Sequence, residues 1–535
     1  MSWNRNHTGF GRPLFVGQTA TGGWGMTWLV LLAGGLQGAS LAWPTAVPQG
    51  LAAIGLAQGQ PLWWGQTLAL ALLVVALLGS GSPRRAAWLG WLFSTAWLGC
   101  TFGWLFTSMH TYGGLAAPLA VAAVLLLAAV LALYYAGASW CFSALALVNK
   151  AQEAIVFALL WMLAELARGL LLTGFGWGAV GYAHANGPLA AALSWVGLYG
   201  VCALAALLSV LLAFAFRATS LRQAAVLTAA LVMLLSLAKV LPGPQGADVG
   251  TLRVTLLQGN IPQDEKFDQS SGVPAALRWY GEQLNANSSS LIITPETALP
   301  VLPDQLPDGY WNALKTRFAK GEQAALLGMP LGNFSEGYTN SVAGLKPGQT
   351  EPWRYDKHHL VPFGEFIPPL ARWFTQLMNI PLGDFNRGDL PQPTFDWQGQ
   401  RLAASICYEN LFGEELAASF LDATHAPTMM VNISNLGWFG ERVAMDQHLQ
   451  IARVRTLEFD RPFLLATNTG RTAVVDHRGQ VIAALPNHVA QALTAEVQGR
   501  DGITPYAWWV SRWGQWPLVM LAFGVVVLFW LRRGK

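Results

Sequence analysis

The stretch LAASICYENLFGEELAASFL, residues 402–421, predicts a β-strand that runs directly into a helix. Residues 402–406 have the length and apolar character of a buried strand, and residues 411–421 have the apolar spacing of a helix. Cys407 lies at the turn between them and is followed at once by polar side chains. Because the positive end of a helix favours a thiolate, this placement predicts a reactive cysteine.

The same alternation of short apolar runs and helical patterns continues from about Thr251 onward. Strands that alternate with helices are typical of a layered α/β domain. The predicted strands lie at 252–258, 291–294, 324–328, 339–345, 402–406, 428–433, 463–467 and 472–475, and the predicted helices at 273–286, 309–319, 411–421 and 445–460.

The rest of the chain is far more apolar. Of the 535 residues, 53% are hydrophobic and only 11% are charged, whereas a soluble globular protein carries about 25% charged residues. The apolar part therefore predicts a membrane domain. Between Ala86 and Phe216 the only charged residues are Lys150, Glu153, Glu165 and Arg168.

Crossing a bilayer core takes about 20 apolar helical residues, and eight stretches approach that length. We predict a membrane domain of about seven helices at 1–245, an α/β domain at 246–502, and a final span with its tail at 503–535. The first stretch lacks a small-residue cleavage site, which predicts an uncleaved helix. The predicted spans are 25–43, 62–80, 87–107, 116–138, 152–173, 187–215, 223–241 and 515–531.

Lysine and arginine in the short loops predict the orientation, because cytoplasmic loops are enriched in them. The loops at 44–61, 108–115 and 174–186 contain neither residue. This pattern predicts cytoplasmic termini and an α/β domain on the outer side of the membrane. If the host is a bacterium with two membranes, that side of the inner membrane is the periplasm. The predicted inner segments carry Arg5, Arg12, Arg84, Arg85, Lys150, Arg217, Arg222, Arg532, Arg533 and Lys535.

Cysteine usage and net charge narrow the chemistry further. Cys407 is the only thiol of the predicted α/β domain, and a single cysteine in an oxidising compartment is more often reactive than structural. Cys100, Cys141 and Cys202 lie in apolar stretches, as small hydrophobic residues do. The net charge of +3 comes without a basic run, which indicates no nucleic-acid partner.

Two more residues could share a site with Cys407. Pro295 ends a predicted strand and leaves Glu296 at its carboxyl edge, where a glutamate can act as a general base. Lys357 lies in a partly apolar loop and could stabilise a developing oxyanion. Singly, a cysteine is more often inert, a glutamate solvated and a lysine exposed. The adjacent His358 and His359 lack an acidic residue at metalloprotease spacing, so we predict no metal and no cofactor.

Taken together, these residues resemble a known family. The order Glu296, Lys357, Cys407 is similar to that of the nitrilase superfamily, or carbon–nitrogen hydrolases. The local strings resemble the apolipoprotein N-acyltransferase family over nearly the whole chain. These strings are QGNIPQ (258–263), PETALP (295–300), KHHLVPFGEFIP (357–368), ICYEN (406–410), WFGE (438–441), QHLQIARVRTLEFDRP (447–462) and ARGLLLTGFGW (167–177).

The resemblance implies an αββα sandwich whose catalytic triad is Glu296, Lys357 and Cys407. Two departures accompany it: Phe267 stands where the family often has tryptophan, and Leu436 stands where it often has aspartate. The supporting or substrate-binding residues that it implies are Glu365, Tyr408, Glu409, Phe267 and Trp438.

The function implied by the resemblance is the last step of lipoprotein maturation. An sn-1 acyl group would pass from a phospholipid, typically phosphatidylethanolamine, through a thioester on Cys407. Its acceptor would be the α-amine of the N-terminal diacylglyceryl-cysteine of an apolipoprotein. One alternative is a membrane-tethered amidase of the nitrilase type that releases its acyl group to water. Another is a transporter or receptor with an inactive external domain.

Two features remain open on the sequence alone. Phe363, Phe366, Ile367, Leu370, Trp373 and Phe374 form an apolar stretch that is either a lipid-contacting lid or an ordinary core segment. Glu165 and Arg168 lie three residues apart on one predicted span. Intramembrane charges are candidates for function, but these two could equally form a structural pair.

Overall fold

A computed structural model describes residues 23–147, 149–243, 246–367 and 385–532. Helices of nine or more residues are numbered in chain order. They are α1 (Gly23–Ala39), α2 (Trp63–Leu78), α3 (Pro83–Thr101), α4 (Ala117–Leu145), α5 (Lys150–Leu170), α6 (Leu193–Phe216), α7 (Leu221–Val240), α8 (Gly272–Ala286), α9 (Tyr310–Lys320), α10 (Val443–Phe459), α11 (Pro505–Trp513) and α12 (Trp516–Arg532).

The strands alternate with the later helices. They are β1 (Asp248–Gln258), β2 (Leu291–Ile293), β3 (Ala324–Asn333), β4 (Gly337–Leu345), β5 (Trp353–Asp356), β6 (Phe395–Trp397), β7 (Gln400–Ile406), β8 (Met429–Ser434), β9 (Phe463–Thr467), β10 (Ala473–Val475), β11 (Val481–Ala484) and β12 (Gln491–Arg500).

Helices α1–α7 and α12 lie where the eight spans are predicted. Within the described residues, two helices are long and apolar enough to cross a membrane, Ala117–Leu145 and Ala190–Phe216. Two bent pairs qualify if each is one span: α3 with Leu105–Tyr112, bent by 64°, and α11 with α12, bent by 87°. The helix positions are confirmed, and the number of crossings stays a prediction.

Small residues allow the membrane helices to pack closely. Such close packing is common in lipid, because the hydrophobic effect does not drive helices together there. A Cβ atom on Gly34 of α1 would lie 2.3 Å from the carbonyl oxygen of Phe93 on α3. One on Gly90 of α3 would lie 2.1 Å from Ser139 Oγ on α4. Leu126 and Leu133 on the far side of α4 are exposed, as lipid-facing residues would be.

The α/β domain has four layers. One sheet has the strand order β12-β1-β2-β3-β4-β5 and the other has β11-β10-β9-β8-β7-β6. Their facing sides share a core that includes Leu256, Ile293, Ile406 and Ile433. Helices α8 and α9 cover the outer side of the first sheet, while α10 and α11 cover the second. This confirms the αββα sandwich, and all eight predicted strands are present.

One predicted element is wrong. Residues 411–421 do not form a single helix, because 3₁₀ turns at Cys407–Leu411 and Ala417–Phe420 flank a four-residue α-helix at Gly413–Leu416. Phe412 interrupts the helical path with a non-helical ψ of 81°. Its ring stacks on His359 with 3.5 Å between centroids. A five-residue 3₁₀ turn has little of the dipole of a long helix, so the predicted dipole support for a thiolate is weak.

The three loops without lysine or arginine all contact the α/β domain. Gln450 on α10 donates to the carbonyl of Gly59 at 2.7 Å. Tyr112 meets Trp438 edge to face, with 5.5 Å between ring centroids. The Tyr408 hydroxyl donates to the carbonyl of Gly174 at 2.9 Å. These loops therefore lie on the same side of the helical domain as the α/β domain.

Candidate active site

Cys407 directly follows β7 and is buried between the two sheets and α10. Its φ of 53° lies in the left-handed region, which is uncommon for a residue other than glycine. The side chains of Asn432 and His448 contact its carbonyl oxygen at 3.2 and 3.4 Å. Burial and the Glu296 carboxylate raise the pKa of the thiol well above its ordinary value, against the opposing effect of Lys357. The resting thiol therefore needs a base.

Glu296 lies just after β2 and supplies a carboxylate beside that thiol. Its Oε1 accepts a hydrogen bond from Asn340 Nδ2 at 2.7 Å and lies 3.4 Å from Lys357 Nζ. Its Oε2 accepts from the backbone N–H of Asn435 at 2.8 Å. These contacts fix both oxygens of a buried carboxylate, so its orientation toward the thiol is set before any substrate arrives.

Lys357 follows β5 and is almost fully buried. Its Nζ lies 2.8 Å from Glu365 Oε1, and Asn340 Nδ2 reaches the same oxygen at 2.8 Å. Burial disfavours the charge, but Glu365 and Glu296 more than offset it and hold the pKa of Lys357 above its ordinary value. The site therefore contains a fixed ammonium between two glutamates.

Glu409 connects the segment that carries Lys357 to the turn that carries Cys407. Its Oε1 accepts from the backbone N–H groups of His358 and His359, at 2.7 and 3.1 Å. Its Oε2 accepts from the backbone N–H of Ile406 at 2.6 Å and the Tyr355 hydroxyl at 2.9 Å. Burial raises the pKa of Glu409 to about 7, while Lys357 and the backbone donors oppose the rise. Glu409 thus ties together the two segments that carry Lys357 and Cys407.

A second buried lysine, Lys266, completes the site and is absent from the sequence-based set. Its Nζ donates to the backbone carbonyl of Glu296 at 2.9 Å. Burial lowers the pKa of Lys266 to about 7, even though Glu296 and Cys407 favour its charged form. The lysine therefore loses much of its charge in the folded protein near neutral pH.

Replacing Lys266 by methionine is expected to increase stability most at pH values at or below about 7 and progressively less as the pH rises toward about 10. The unfolded chain keeps this lysine protonated up to about pH 10.4, whereas the folded protein releases the proton from about pH 7 upward. Wild-type stability therefore rises with pH across this window, because the unfolded state binds more protons. The thermal unfolding midpoints of the variant and the wild type are measured at about pH 7 and about pH 9. The difference between the two proteins should be smaller at the higher pH.

The exposed Lys320 at the end of α9 provides the matched control. For Lys320→Met, the difference from wild type should be the same at both pH values. A Lys266→Met difference that did not change between them would contradict a buried, neutral lysine.

Two other predicted residues, Tyr408 and Trp438, contact the helical domain. Besides its hydrogen bond to Gly174, Tyr408 stacks on Phe175, with 6.2 Å between ring centroids. Trp438 meets Tyr112, as described above. These two predicted site residues therefore link the nucleophile side of the α/β domain to loops between membrane helices.

The two departures from the family pattern differ in burial. Phe267 is partly exposed, and its ring lies 5.9 Å from Lys266 Nζ. Leu436 is buried and belongs to the core between the two sheets. Its apolar side chain packs among the other residues of that core.

The adjacent histidines bond in different directions. His358 Nδ1 lies 2.7 Å from the carbonyl of Gly388, and His359 Nδ1 lies 2.8 Å from Glu415 Oε1. Across the described ranges, no group of three His, Cys, Asp or Glu side chains is placed to hold a metal ion. Of the apolar stretch considered as a lid, Leu370, Trp373 and Phe374 lie outside the described residues.

The structure brings Glu296, Lys357, Glu365 and Cys407 together and adds partners that sequence reasoning missed. Asn340 comes from β4 and the Asn435 amide from the end of β8. Lys266 lies only three residues after the string QGNIPQ, so proximity to that string was the one available signal. The arrangement combines a buried protonated thiol, a neighbouring carboxylate and a fixed cation. This combination suits acyl transfer through a covalent intermediate.

Comparisons with known proteins identify the family of this chain. Residues 49–211 match the family model of the apolipoprotein N-acyltransferase N-terminal domain, and residues 253–503 match that of carbon–nitrogen hydrolase. The apolipoprotein N-acyltransferase of Verminephrobacter eiseniae is 52% identical over 92% of this chain and 93% of the relative. That of Ralstonia nicotianae is 44% identical over 87% and 88%. A CN-hydrolase superfamily protein from Xanthomonas campestris aligns with a TM-score of 0.37 and 19% identity, over 46% of this chain and 91% of that chain.

Proposed function

The chain belongs to the apolipoprotein N-acyltransferase family, and from this premise we propose that Cys407 carries an acyl group from a phospholipid to an apolipoprotein. The donor would be the sn-1 ester of phosphatidylethanolamine. The acceptor would be the α-amine of an N-terminal diacylglyceryl-cysteine. The observation that supports this most is the buried cluster of Glu296, Lys357 and Glu365 beside the thiol, in a domain seated on apolar helices.

The first half-reaction forms a thioester. Glu296 takes the proton of Cys407, and the thiolate attacks the ester carbonyl carbon of the phospholipid. Lys357 and the backbone N–H of Tyr408 stabilise the resulting oxyanion, and a well-placed donor contributes about 3–4 kcal/mol. When the ester C–O bond breaks, Glu296 returns its proton to the lyso-phospholipid oxygen.

The second half-reaction forms an amide. The neutral α-amine of the acceptor attacks the thioester carbonyl, and Glu296 accepts the proton that the nitrogen releases. As the tetrahedral intermediate collapses, the C–S bond breaks and the thiolate leaves. Glu296 then returns the proton to Cys407, so that the resting thiol is restored for another cycle.

The proposed location is the bacterial inner membrane, with the α/β domain in the periplasm and both termini in the cytoplasm. The loops at 44–61, 108–115 and 174–186 contain no lysine or arginine, as expected of periplasmic loops. Two of these loops contact Tyr408 and Trp438 beside the site. Both substrates are lipid-anchored, and a site at the bilayer surface would receive them while limiting access of water to the thioester.

Intact-mass analysis tests the proposal and separates it from the amidase alternative. The full chain in detergent is incubated with phosphatidylethanolamine alone. We expect a mass gain of one acyl group that hydroxylamine removes. The adduct should persist without an acceptor and be discharged by a diacylated lipopeptide, with formation of an N-acylated product.

Two other outcomes would change the conclusion. Rapid decay to free fatty acid, at the same rate with and without lipopeptide, would favour the membrane-tethered amidase. Absence of any adduct on folded protein in the presence of lipid would reject the thioester mechanism.

A further inference from the structure

Three polar side chains form a closed cluster inside the helical domain: Tyr135 on α4, and Glu165 and Arg168 on α5. Arg168 Nε donates to the Tyr135 hydroxyl at 2.7 Å, and Arg168 Nη2 lies 2.8 Å from Glu165 Oε2. The same oxygen accepts from the Tyr135 hydroxyl at 2.9 Å. All three are fully buried or nearly so. A buried pair is costly to desolvate unless further hydrogen bonds satisfy both charges.

Those further hydrogen bonds go to one segment, residues 171–180, called here the Arg168 loop. Arg168 Nη1 donates to the carbonyl of Phe175 and, at 2.8 Å, to that of Trp177. Glu165 Oε1 accepts from the backbone N–H of Val180 at 3.2 Å. Both charged groups therefore hold the backbone of a loop that follows their own helix.

The Arg168 loop has a strained backbone. Leu172, Thr173 and Gly174 have consecutive φ values of 54°, 75° and 76°, all in the left-handed region. Such a conformation is unfavourable for a non-glycine residue and persists where the surroundings impose it. The two carbonyls held by Arg168 follow within three residues, so the cluster anchors the chain at the end of this strained stretch.

The strained residues contact the turn that carries Cys407. The carbonyl of Gly174 accepts the Tyr408 hydroxyl, and Tyr408 is the residue after Cys407. A Cβ atom on Gly174 would lie 3.1 Å from the Phe412 ring, and that ring stacks on His359. His359 lies two residues after Lys357. One loop therefore underlies both segments that carry the reacting groups.

We propose that the Tyr135–Glu165–Arg168 cluster is a positioning device for acyl transfer, which acts through the Arg168 loop on the Cys407 turn and the Lys357 segment. The inference rests on the thioester mechanism proposed above. In this proposal Glu165 and Arg168 hold the reacting groups in position, in addition to stabilising the helices. Lipid binding would depend on other surfaces, so loss of the cluster should affect the rate of chemistry more than donor affinity.

Arg168→Lys tests this, because one ammonium cannot replace a guanidinium that reaches four acceptors. We expect the single-turnover rate of Cys407 acylation at saturating phosphatidylethanolamine to fall ~10–100-fold, the effect of a misplacement of about 1 Å. The half-saturating donor concentration should change by less than about 3-fold, since donor contacts are retained. Gly174→Ala disturbs the loop from its other side, since its Cβ would lie 2.1 Å from the carbonyl of Gly169. It should show the same pattern.

Lys150→Gln is the matched control, because Lys150 forms an exposed ion pair with Glu153 at the other end of α5. All rates are expressed per folded molecule, from the thermal transition of each protein. If Arg168→Lys lowers the unfolding midpoint but acylates as fast as Lys150→Gln, the cluster is only structural and the proposal is overturned. If the wild type itself forms no adduct, the thioester mechanism fails instead.

Discussion

Replacing Cys407 by serine is expected to remove measurable N-acylation, with a rate loss on the order of 10³-fold or more. A serine hydroxyl is a far weaker nucleophile than a thiol. The buried carboxylate of Glu296 can remove a thiol proton but is poorly matched to an alcohol. The variant should remain folded, because serine is close in size to cysteine and the turn is held by Asn432 and His448 through the backbone.

Transfer of a radiolabelled acyl chain from phosphatidylethanolamine to a diacylated lipopeptide measures this loss. Cys407→Ala should lack both the product and the acyl-enzyme mass. Cys100→Ala, which changes a thiol of the helical domain, should keep both. Substantial turnover by Cys407→Ala would show that the acyl group never resides on this sulfur.

Replacing Lys357 by methionine is expected to lower the acylation rate about 10²–10³-fold, because the oxyanion loses its fixed cation. The same change leaves Glu296 and Glu365 buried without their shared counter-ion. Breaking a buried ion pair in this way costs about 3–5 kcal/mol of stability. The variant therefore loses both acylation rate and stability, and the experiment has to separate the two effects.

The double variant Lys357→Met with Glu365→Gln makes that separation. Removing one of the two carboxylates relieves part of the unpaired charge, so the unfolding midpoint should recover part of the way toward wild type. The acylation rate should stay low, since no cation faces the reacting carbonyl. Recovery of both properties in the double variant would mean that Lys357 serves only as a counter-ion to the two glutamates.

Local pattern was enough to predict most of the α/β domain. The run LRVTLLQ and the later apolar runs are short and bounded by turn residues, which distinguishes buried strands from helices. Strand β12 was missed because QALTAEVQGR has the composition of a helix. It is extended because it pairs with β1 along nearly its whole length. Tertiary pairing overrides propensity there.

Site residues could be predicted from the sequence where a side chain of suitable chemistry also comes at the end of a strand. Cys407 directly follows β7, and Glu296 comes three residues after the end of β2. Lys357 directly follows β5, a strand that was not predicted. Asn340 and Asn435 were not predictable, because an asparagine in or beside a strand gives no sign of the distant carboxylate that it contacts. Lys266 was passed over for a similar reason: its burial depends on segments far away in the chain.

Helix α10 also determines the order in which the enzyme can mature. Gln450 bonds to Gly59 across 391 residues of chain, and Gln447 accepts the indole N–H of Trp104 across 343. The backbone N–H of Leu198 donates to Glu458 Oε1 at 2.7 Å, 260 residues later. These early loops cannot reach their final form until α10 has been synthesised and docked, and contacts of such separation form late. A nascent chain therefore lacks these contacts between the helical domain and the α/β domain until it is nearly complete.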